Sequence, residues 1–387
     1  MRILQLGKFY PIRGGVEKVM WDITKGLADR DVPCDMLCAV LPDRRVDWKD
    51  APMQRSIDGM LAFVMNKDNI VYCARALTKK YATMISPAMV RTLKKICNRY
   101  DIIHVHHPDP MACLALKMSG FKGKVVLHWH SDILSQKGLY RYYKPLQNWL
   151  IDRADMIVGT TPVYLDASEC LKAVPPEKKM VIPIGVDPLP KDNNAFQTIR
   201  KKYTGKYIVF SLGRIVPYKG FDYLVEAAAL LPDNYVVIIG GSGPGFAQLQ
   251  EKIYTMGLHR KVEMLGYLAD ATVNDIFHSC HVFVLPSVMK TEAFGIVQIE
   301  AMSCGKPVVA TKIPGSGVSW VNEDGVSGIN VPCRDPAALA QAIRDVCENK
   351  TSYPTYCTGA RERYEKNFTT ANMISKTLQV YEKVLSL

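Results

Sequence analysis

The chain has 387 residues, 48% hydrophobic and 22% charged, which is ordinary for a globular protein with room for two or three domains. Its net charge of +12 is uneven: residues 1–187 hold 28 Lys and Arg against 19 Asp and Glu, about +9, which leaves about +3 for the rest. No apolar run approaches the roughly 18 residues of a membrane span, and eleven scattered cysteines without a CxxC pair argue against a disulfide framework or a zinc site.

The first strand is expected at 2–6, too short and too soon broken by Gly7 and Lys8 to be a signal peptide, so residence in the cytoplasm is the expectation. Gly14-Gly15 marks a turn into a helix over 16–30, and further strands are read at Cys34–Val40, 102–105, 125–127 and 156–158. Between them, the stretch 71–100 mixes Arg75, Lys79, Lys80, Arg91, Lys94, Lys95 and Arg99 with Leu77, Tyr81, Met84, Ile85, Met89, Val90, Leu93 and Ile96. That is the composition of an interfacial helix, with a core helix carrying a wet cationic face as the plainer reading. Pro183, Pro188 and Pro190 mark a boundary. A second series follows: a strand at 207–210, a helix at 221–231, and strands at 235–239, 261–265, Val282–Leu285 and 308–310. The alternation predicts an α/β chain of two doubly wound, Rossmann-like domains, 1–185 and 186–368, with a last helix over 369–387.

The most informative segment is 285–309. Pro286 and Ser287 end a strand, Glu292 sits in the loop, and the stretch from Gly295 to Met302 has helical spacing, which puts Glu300 about two turns into a helix. The N–H groups near Phe294, Gly295, Ile296 and Val297 lack intrahelical partners and suit a phosphate. Upstream, Ser211-Leu-Gly-Arg-Ile-Val-Pro-Tyr-Lys-Gly220 places Arg214 and Lys219 at the carboxyl end of a parallel sheet, where open α/β sheets bind ligands. A guanidinium and an ammonium there can converge on a diphosphate. Gly240-Gly-Ser-Gly-Pro-Gly245 does not fit the G-x-G-x-x-G dinucleotide spacing, so a nicotinamide dehydrogenase is a weak rival. Asp29-Arg-Asp31 matches D-x-D only formally and reads as a solvated turn. His104, His106, His107, His128 and His130 cluster in the first half without a carboxylate or Cys pattern, so no metal is expected.

Glu292 and Glu300, eight apart around Phe294-Gly295, resemble the E-x(7)-E signature of retaining glycosyltransferases of the GT-B fold, family 4. Gly213-Arg214 with Lys219-Gly220, the turn around Gly241, and Gly14-Gly15-Val-Glu17 resemble further motifs of that family, in its order. The resemblance implies two Rossmann-like domains facing a cleft and a C-terminal helix that crosses back to the first. It implies that Glu292 binds the donor sugar and Glu300 the ribose hydroxyls, that Arg214 and Lys219 neutralise the leaving diphosphate in place of a metal, and that Gly14, Gly15, Gly241 and Ser287 line the donor site. His130 matches the family histidine that contacts the donor sugar; the other four histidines are read as structural or acceptor-side. Ile184 before Gly185 and the spacer 288–291 depart from the family pattern.

The expected activity is therefore transfer of a hexose, with retention, from a nucleotide diphosphate sugar to a hydroxyl of a glycan or lipid-linked acceptor. Resemblance of 292–298 and 315–320 to surface-polysaccharide mannosyl- and rhamnosyltransferases puts GDP-mannose ahead of a UDP-hexose. No cofactor and no nucleic acid are expected; an anionic membrane surface is a further candidate partner, met from the cytoplasmic side. A nucleotide-sugar epimerase of the same fold, or a non-catalytic basic protein binding membrane or nucleic acid, are the rivals.

Overall fold

The computed structural model describes residues 1–12, 14–41, 54–57, 60–66, 69–80, 83–134 and 137–387. Two units emerge, Met1–Ile184 with Thr370–Leu387, and Gly185–Thr369.

The first unit holds β1 (Ile3–Phe9), β2 (Cys34–Val40), β3 (Gln54–Ile57), β4 (Met60–Asn66), β5 (Asn69–Arg75), β6 (Thr78–Lys80), β7 (Thr83–Ile85), β8 (Ile102–His107), β9 (Lys124–Trp129), β10 (Met156–Gly159) and β11 (Lys179–Val181). Nine of them form one sheet in the order β11-β10-β9-β8-β1-β2-β5-β4-β3, and β6 and β7 form a separate hairpin. From β11 to β5 the neighbours run parallel, and β4 and β3 add antiparallel at the edge. The central strands β1 and β2 are mostly apolar, with Gln5, Lys8 and Asp35 as exceptions, and buried on both faces, as strands covered by helices on each side must be. The helix Gly15–Ala28 lays Val19, Met20, Ile23 and Leu27 on the sheet. The helix Thr370–Ser386 belongs to this unit: Met373, Ile374, Val380, Tyr381 and Val384 are buried, and Arg30 donates to the Ala371 carbonyl at 3.2 Å.

The stretch 71–100 departs from its reading as one helix. Residues up to Arg75 are a strand inside the main sheet, where β5 pairs parallel to β2, and the next are a hairpin; an α-helix covers Pro87–Ile96, followed by a 3-10 turn over Cys97–Arg99. The reason is local: Ser86 caps the helix by accepting from the Met89 N–H, Pro87 suits the first helical turn, and β-branched and aromatic residues dominate 70–72. The helix buries Met89, Leu93 and Ile96 in the core and exposes Arg91, Lys94 and Lys95, so its apolar face is not free for a membrane. Tyr81, named in that stretch, and Arg13, beside the glycine pair, lie outside the described residues.

The second unit holds β12 (Tyr207–Leu212), β13 (Tyr235–Gly240), β14 (Val262–Gly266), β15 (Val282–Leu285), β16 (Val308–Lys312) and β17 (Gly328–Pro332). They form an all-parallel sheet, order β14-β13-β12-β15-β16-β17. Chain order reverses at β12, so the crevice beyond the carboxyl ends of β12 and β15 is the topological switch point. Its core gathers Val209, Leu224, Val225, Tyr235, Val237, Val282, Val284 and Ile343. All eleven cysteines are unpaired, and among the described residues no helix is long and apolar enough to cross a membrane.

Candidate functional site

At the switch point of the second unit three loops meet backbone to backbone. The Gly213 N–H donates to the Gly240 carbonyl at 3.1 Å, Ile215 to Ser242 at 3.0 Å, and Val288 to Tyr218 at 2.8 Å, which ties the loops after β12, β13 and β15 together. Gly241 makes this approach possible. It sits at φ 121°, where an L side chain is strained, and a Cβ there would lie 1.9 Å from the Gly213 carbonyl oxygen.

At Gly220, φ 69°, a Cβ would lie 2.0 Å from the Pro286 carbonyl oxygen, and this second approach, of the loops after β12 and β15, brings Lys219 and Glu292 together. Lys219 Nζ lies 2.5 Å from Glu292 Oε2, with the two side chains only 12% and 11% exposed, and Ser287 Oγ donates to the same oxygen at 2.9 Å. The frame behind is also hydrogen-bonded: Ser316 Oγ donates to the Glu292 carbonyl and Thr311 Oγ1 to that of Ser287. A buried carboxylate with a cation and a hydroxyl donor on one oxygen keeps its second oxygen for a ligand. Arg214, on the same loop as Lys219, is exposed and forms no ion pair among the described residues. The sequence placed Arg214 and Lys219 where both can meet a diphosphate; in the structure Lys219 is paired with Glu292, and Arg214 faces water.

The helix after Glu292 is Ile296–Ser303, with Gly295 as its cap at φ 76° and no side chain capping its first turn. Ile296 and Val297, half-buried, therefore present uncapped N–H groups, and Phe294 is buried behind them with its carbonyl accepting from Gln298 Nε2 at 3.0 Å. Glu300 is the fifth residue of this helix and half-buried, about one turn in and not two, since four steps at 3.6 residues per turn separate it from Ile296.

In the first unit, Gly14 caps the helix that Gly15 begins, and Glu17 folds back over it: a Cβ on Gly14 would lie 2.2 Å from Glu17 Oε2. Asp29 ends that helix in an exposed turn and pairs with Lys25 at 2.6 Å, as befits a solvated turn.

His130 follows β9, is 5% exposed, and stands in a histidine stack. Strands β8 and β9 pair with His106 opposite His128, and two-residue alternation puts His104, His106, His128 and His130 on one sheet face. His128 and His130 stack at 3.9 Å between centroids and 12° between planes; His106 lies 5.2 Å from His130 at 15°. His107 points to the other face, stacked on Trp129 at 3.8 Å. Burial pushes every one of these imidazoles down, His107 and His128 to about 3 and His104, His106 and His130 well below the usual value, so all are neutral at physiological pH.

His106, His128 and His130 each offer a ring nitrogen, and these atoms lie within 4.8 Å of one another. Imidazole lone pairs lie in the ring plane, however, and nearly parallel stacked rings cannot aim them at one ion; His106 Nδ1 and His130 Nε2 are moreover joined to each other at 2.9 Å. As arranged, the cluster is a hydrogen-bonded stack. Sequence reasoning missed Gln5, Tyr381, Thr311 and Ser316 as members of these networks. Only Gln5, a lone amide inside an apolar strand, carried a readable signal.

Residues 13–188 match the family described as Glycosyltransferase Family 4, and residues 192–367 match Glycosyl transferases group 1. The chain is 31% identical over 391 residues to O-antigen chain mannosyltransferase C of Escherichia coli, covering 100% of this chain and 99% of that one. It is also 31% identical over 304 residues, 78% of each, to a D-rhamnosyltransferase of Pseudomonas aeruginosa. Among solved structures, Anabaena HepE in complex with UDP-glucose superposes with a TM-score of 0.76 at 22% identity, and a sucrose-phosphate synthase of Thermosynechococcus elongatus with 0.77 at 19%, both over the full length of each chain. The chain belongs to the group 1, family 4 glycosyltransferases and has their GT-B fold of two Rossmann-like domains.

Proposed function

We propose that this glycosyltransferase moves a hexose from a nucleotide diphosphate sugar, GDP-mannose before a UDP-hexose, to a hydroxyl of a glycan or lipid-linked acceptor in surface-polysaccharide synthesis, with retention and without a metal. The observation that carries the reading is the buried Lys219–Glu292 pair beside an uncapped helix start at the switch point. The end-to-end likeness to a mannosyltransferase supports the donor class.

In this reading the Ile296 and Val297 N–H groups and Arg214 receive the diphosphate. The Lys219–Glu292 pair is neutral overall, so Arg214 supplies the added positive charge as the leaving group becomes more anionic. Glu292 offers its second oxygen to the donor sugar and Glu300 serves the ribose, with Ser287, Phe294, Gly295 and Gly241 shaping the site; His130, Gly14 and Gly15 keep the donor-side roles that the family resemblance implies. The bond from the anomeric carbon to the phosphate oxygen breaks, the acceptor oxygen bonds to the same face of that carbon, and the acceptor proton passes to the departing phosphate. No side chain becomes a nucleophile.

Nucleoside diphosphate release is the assay. Release from GDP-mannose should need an acceptor and survive EDTA; release without acceptor points to an epimerase-like or hydrolytic reaction, and loss restored by manganese overturns metal independence. Membrane contact, on the cytoplasmic face, has a narrower basis than the sequence offered: exposed Lys79 and Lys80 on the hairpin beside Leu77, which is 74% exposed. Liposome co-sedimentation should rise with anionic lipid and fall when Lys79, Lys80, Lys94 and Lys95 are reversed to Glu; equal binding to neutral liposomes removes this part of the proposal.

A further inference from the structure

We infer that His130 is held in one neutral tautomer by a buried hydrogen-bond relay that runs through His106 and Gln5 to Tyr381 of the C-terminal helix. This makes Gln5 and His106 positioning residues; it rests on the reading of His130 as a donor-side contact.

The relay is continuous. His130 Nε2 meets His106 Nδ1 at 2.9 Å, His106 Nε2 meets Gln5 Oε1 at 2.8 Å, Gln5 Nε2 donates to the Tyr381 hydroxyl at 2.8 Å, and that hydroxyl meets His104 Nδ1 at 2.7 Å. Gln5, His104, His106 and Tyr381 are fully buried, so no water competes for these groups. Its direction follows from donor and acceptor inventory. The Cys34 thiol donates to the Asp35 carbonyl and leaves its sulfur to accept from Gln5 Nε2 at 3.6 Å. The two amide protons of Gln5 are thus spent on Cys34 and Tyr381, and its carbonyl oxygen, which only accepts, faces His106.

The rest is forced. His106 must carry its proton on Nε2 to donate to Gln5, which leaves Nδ1 bare; His130 must then donate from Nε2, which leaves its own Nδ1 bare. That nitrogen has no hydrogen bond among the described residues, so His130 presents an acceptor, ready for a hydroxyl donor of a sugar. Because burial disfavours the charged form of each ring, the arrangement does not dissolve by protonation at neutral pH. His128, by contrast, stacks on His130 but both its ring nitrogens are buried without a partner, so it is outside the relay.

The test is long-range 1H–15N correlation on full-length protein labelled with 15N-histidine, where protonated and bare ring nitrogens resonate far apart. The expected wild-type result is protonated Nε2 and bare Nδ1 on both His106 and His130, unchanged between pH 6 and 8. A protonated Nδ1 on His130 overturns the proposal with no mutation needed. In Gln5→Met, similar in length but unable to accept, His106 and His130 should become tautomer mixtures, and kcat should fall about tenfold with donor KM moved less than threefold. Unchanged tautomers in Gln5→Met overturn the relay. A changed tautomer with unchanged turnover leaves the relay standing and overturns instead the placement of His130 at the donor. Tyr381→Phe should spare the His130 signal, because Cys34 still orients Gln5, and should alter only that of His104; loss of the His130 tautomer there counts against the stated direction.

Discussion

In the second unit the buried polar groups at the strand ends carry opposite charges 2.5 Å apart, Lys219 on Glu292, while in the first unit four stacked imidazoles are uncharged and three of them, His104, His106 and His130, are joined by hydrogen bonds to Gln5 and Tyr381. Both keep polar atoms out of water, but they respond to different disturbances. An ion pair at a switch point is answerable to a charged ligand; a neutral histidine network is answerable to protons and to the identity of each donor. A site for a dianionic leaving group belongs on the first kind of architecture. An acceptor of fixed direction belongs on the second.

Acid should break the comparison most strongly. The five buried histidines are held neutral when folded and gain protons when unfolded, so the unfolded state binds more protons below about pH 6.5, and stability must fall as pH falls through 6.5 towards the depressed folded values, about 3 for His107 and His128. At pH 5 each such histidine removes about 2 kcal/mol. Hydrogen exchange followed by mass spectrometry between pH 7 and 5 should show residues 1–184 losing more protection than 207–332, where burial lowers only His278 and His281, the latter to about 3; equal loss in both refutes the neutral stack.

Lys219→Ala should come next. It strands the carboxylate of Glu292, whose side chain is 11% exposed, and breaking a buried pair costs about 3 kcal/mol of stability, in addition to at least a tenfold loss of turnover, about 1.4 kcal/mol. Folding is therefore not spared, although the sequence alone gives no reason to expect that. Arg214→Ala sharpens the contrast: exposed and unpaired among the described residues, it should lose at least tenfold in turnover with the midpoint of urea unfolding unmoved. Equal instability in both variants would place Arg214 in the same pair. The smallest effect is expected for His128→Leu, which removes two partnerless buried nitrogens and should change stability by less than about 1 kcal/mol, in either direction, by denaturant titration.

Much of the second unit was legible because its signals are local. Val282–Leu285 is a continuous apolar run, Pro286 ends it, and Arg214, Lys219 and Glu292 lie in short loops that a parallel sheet must put at one edge. The strands β17 and β3 escaped, since short strands with mixed faces have no clear period, while β4, Met60-Leu-Ala-Phe-Val-Met-Asn66, is a plain apolar run that the reading passed over. The stretch 71–100 misled because basic residues at irregular spacing fit a helix face as readily as a strand followed by a hairpin; pairing of β5 with β2, a tertiary event, decided it.

Alternation and loop residues by themselves determined the α/β class, the order of the strands along the chain and the edge of the second sheet where ligands bind. What only the tertiary structure decided is who meets whom. Lys219 met Glu292, because Gly220 lets the loop after β12 close on the loop after β15; Tyr381 met Gln5, 376 positions away, because the last helix packs against the helix Gly15–Ala28 and β9. Periodicity reports which face of an element is buried, since burial follows the repeat of a single helix or strand. It carries no record of the partner across the interface, which is set by sheet order and helix packing, and for a histidine the partner is what decides where the proton sits.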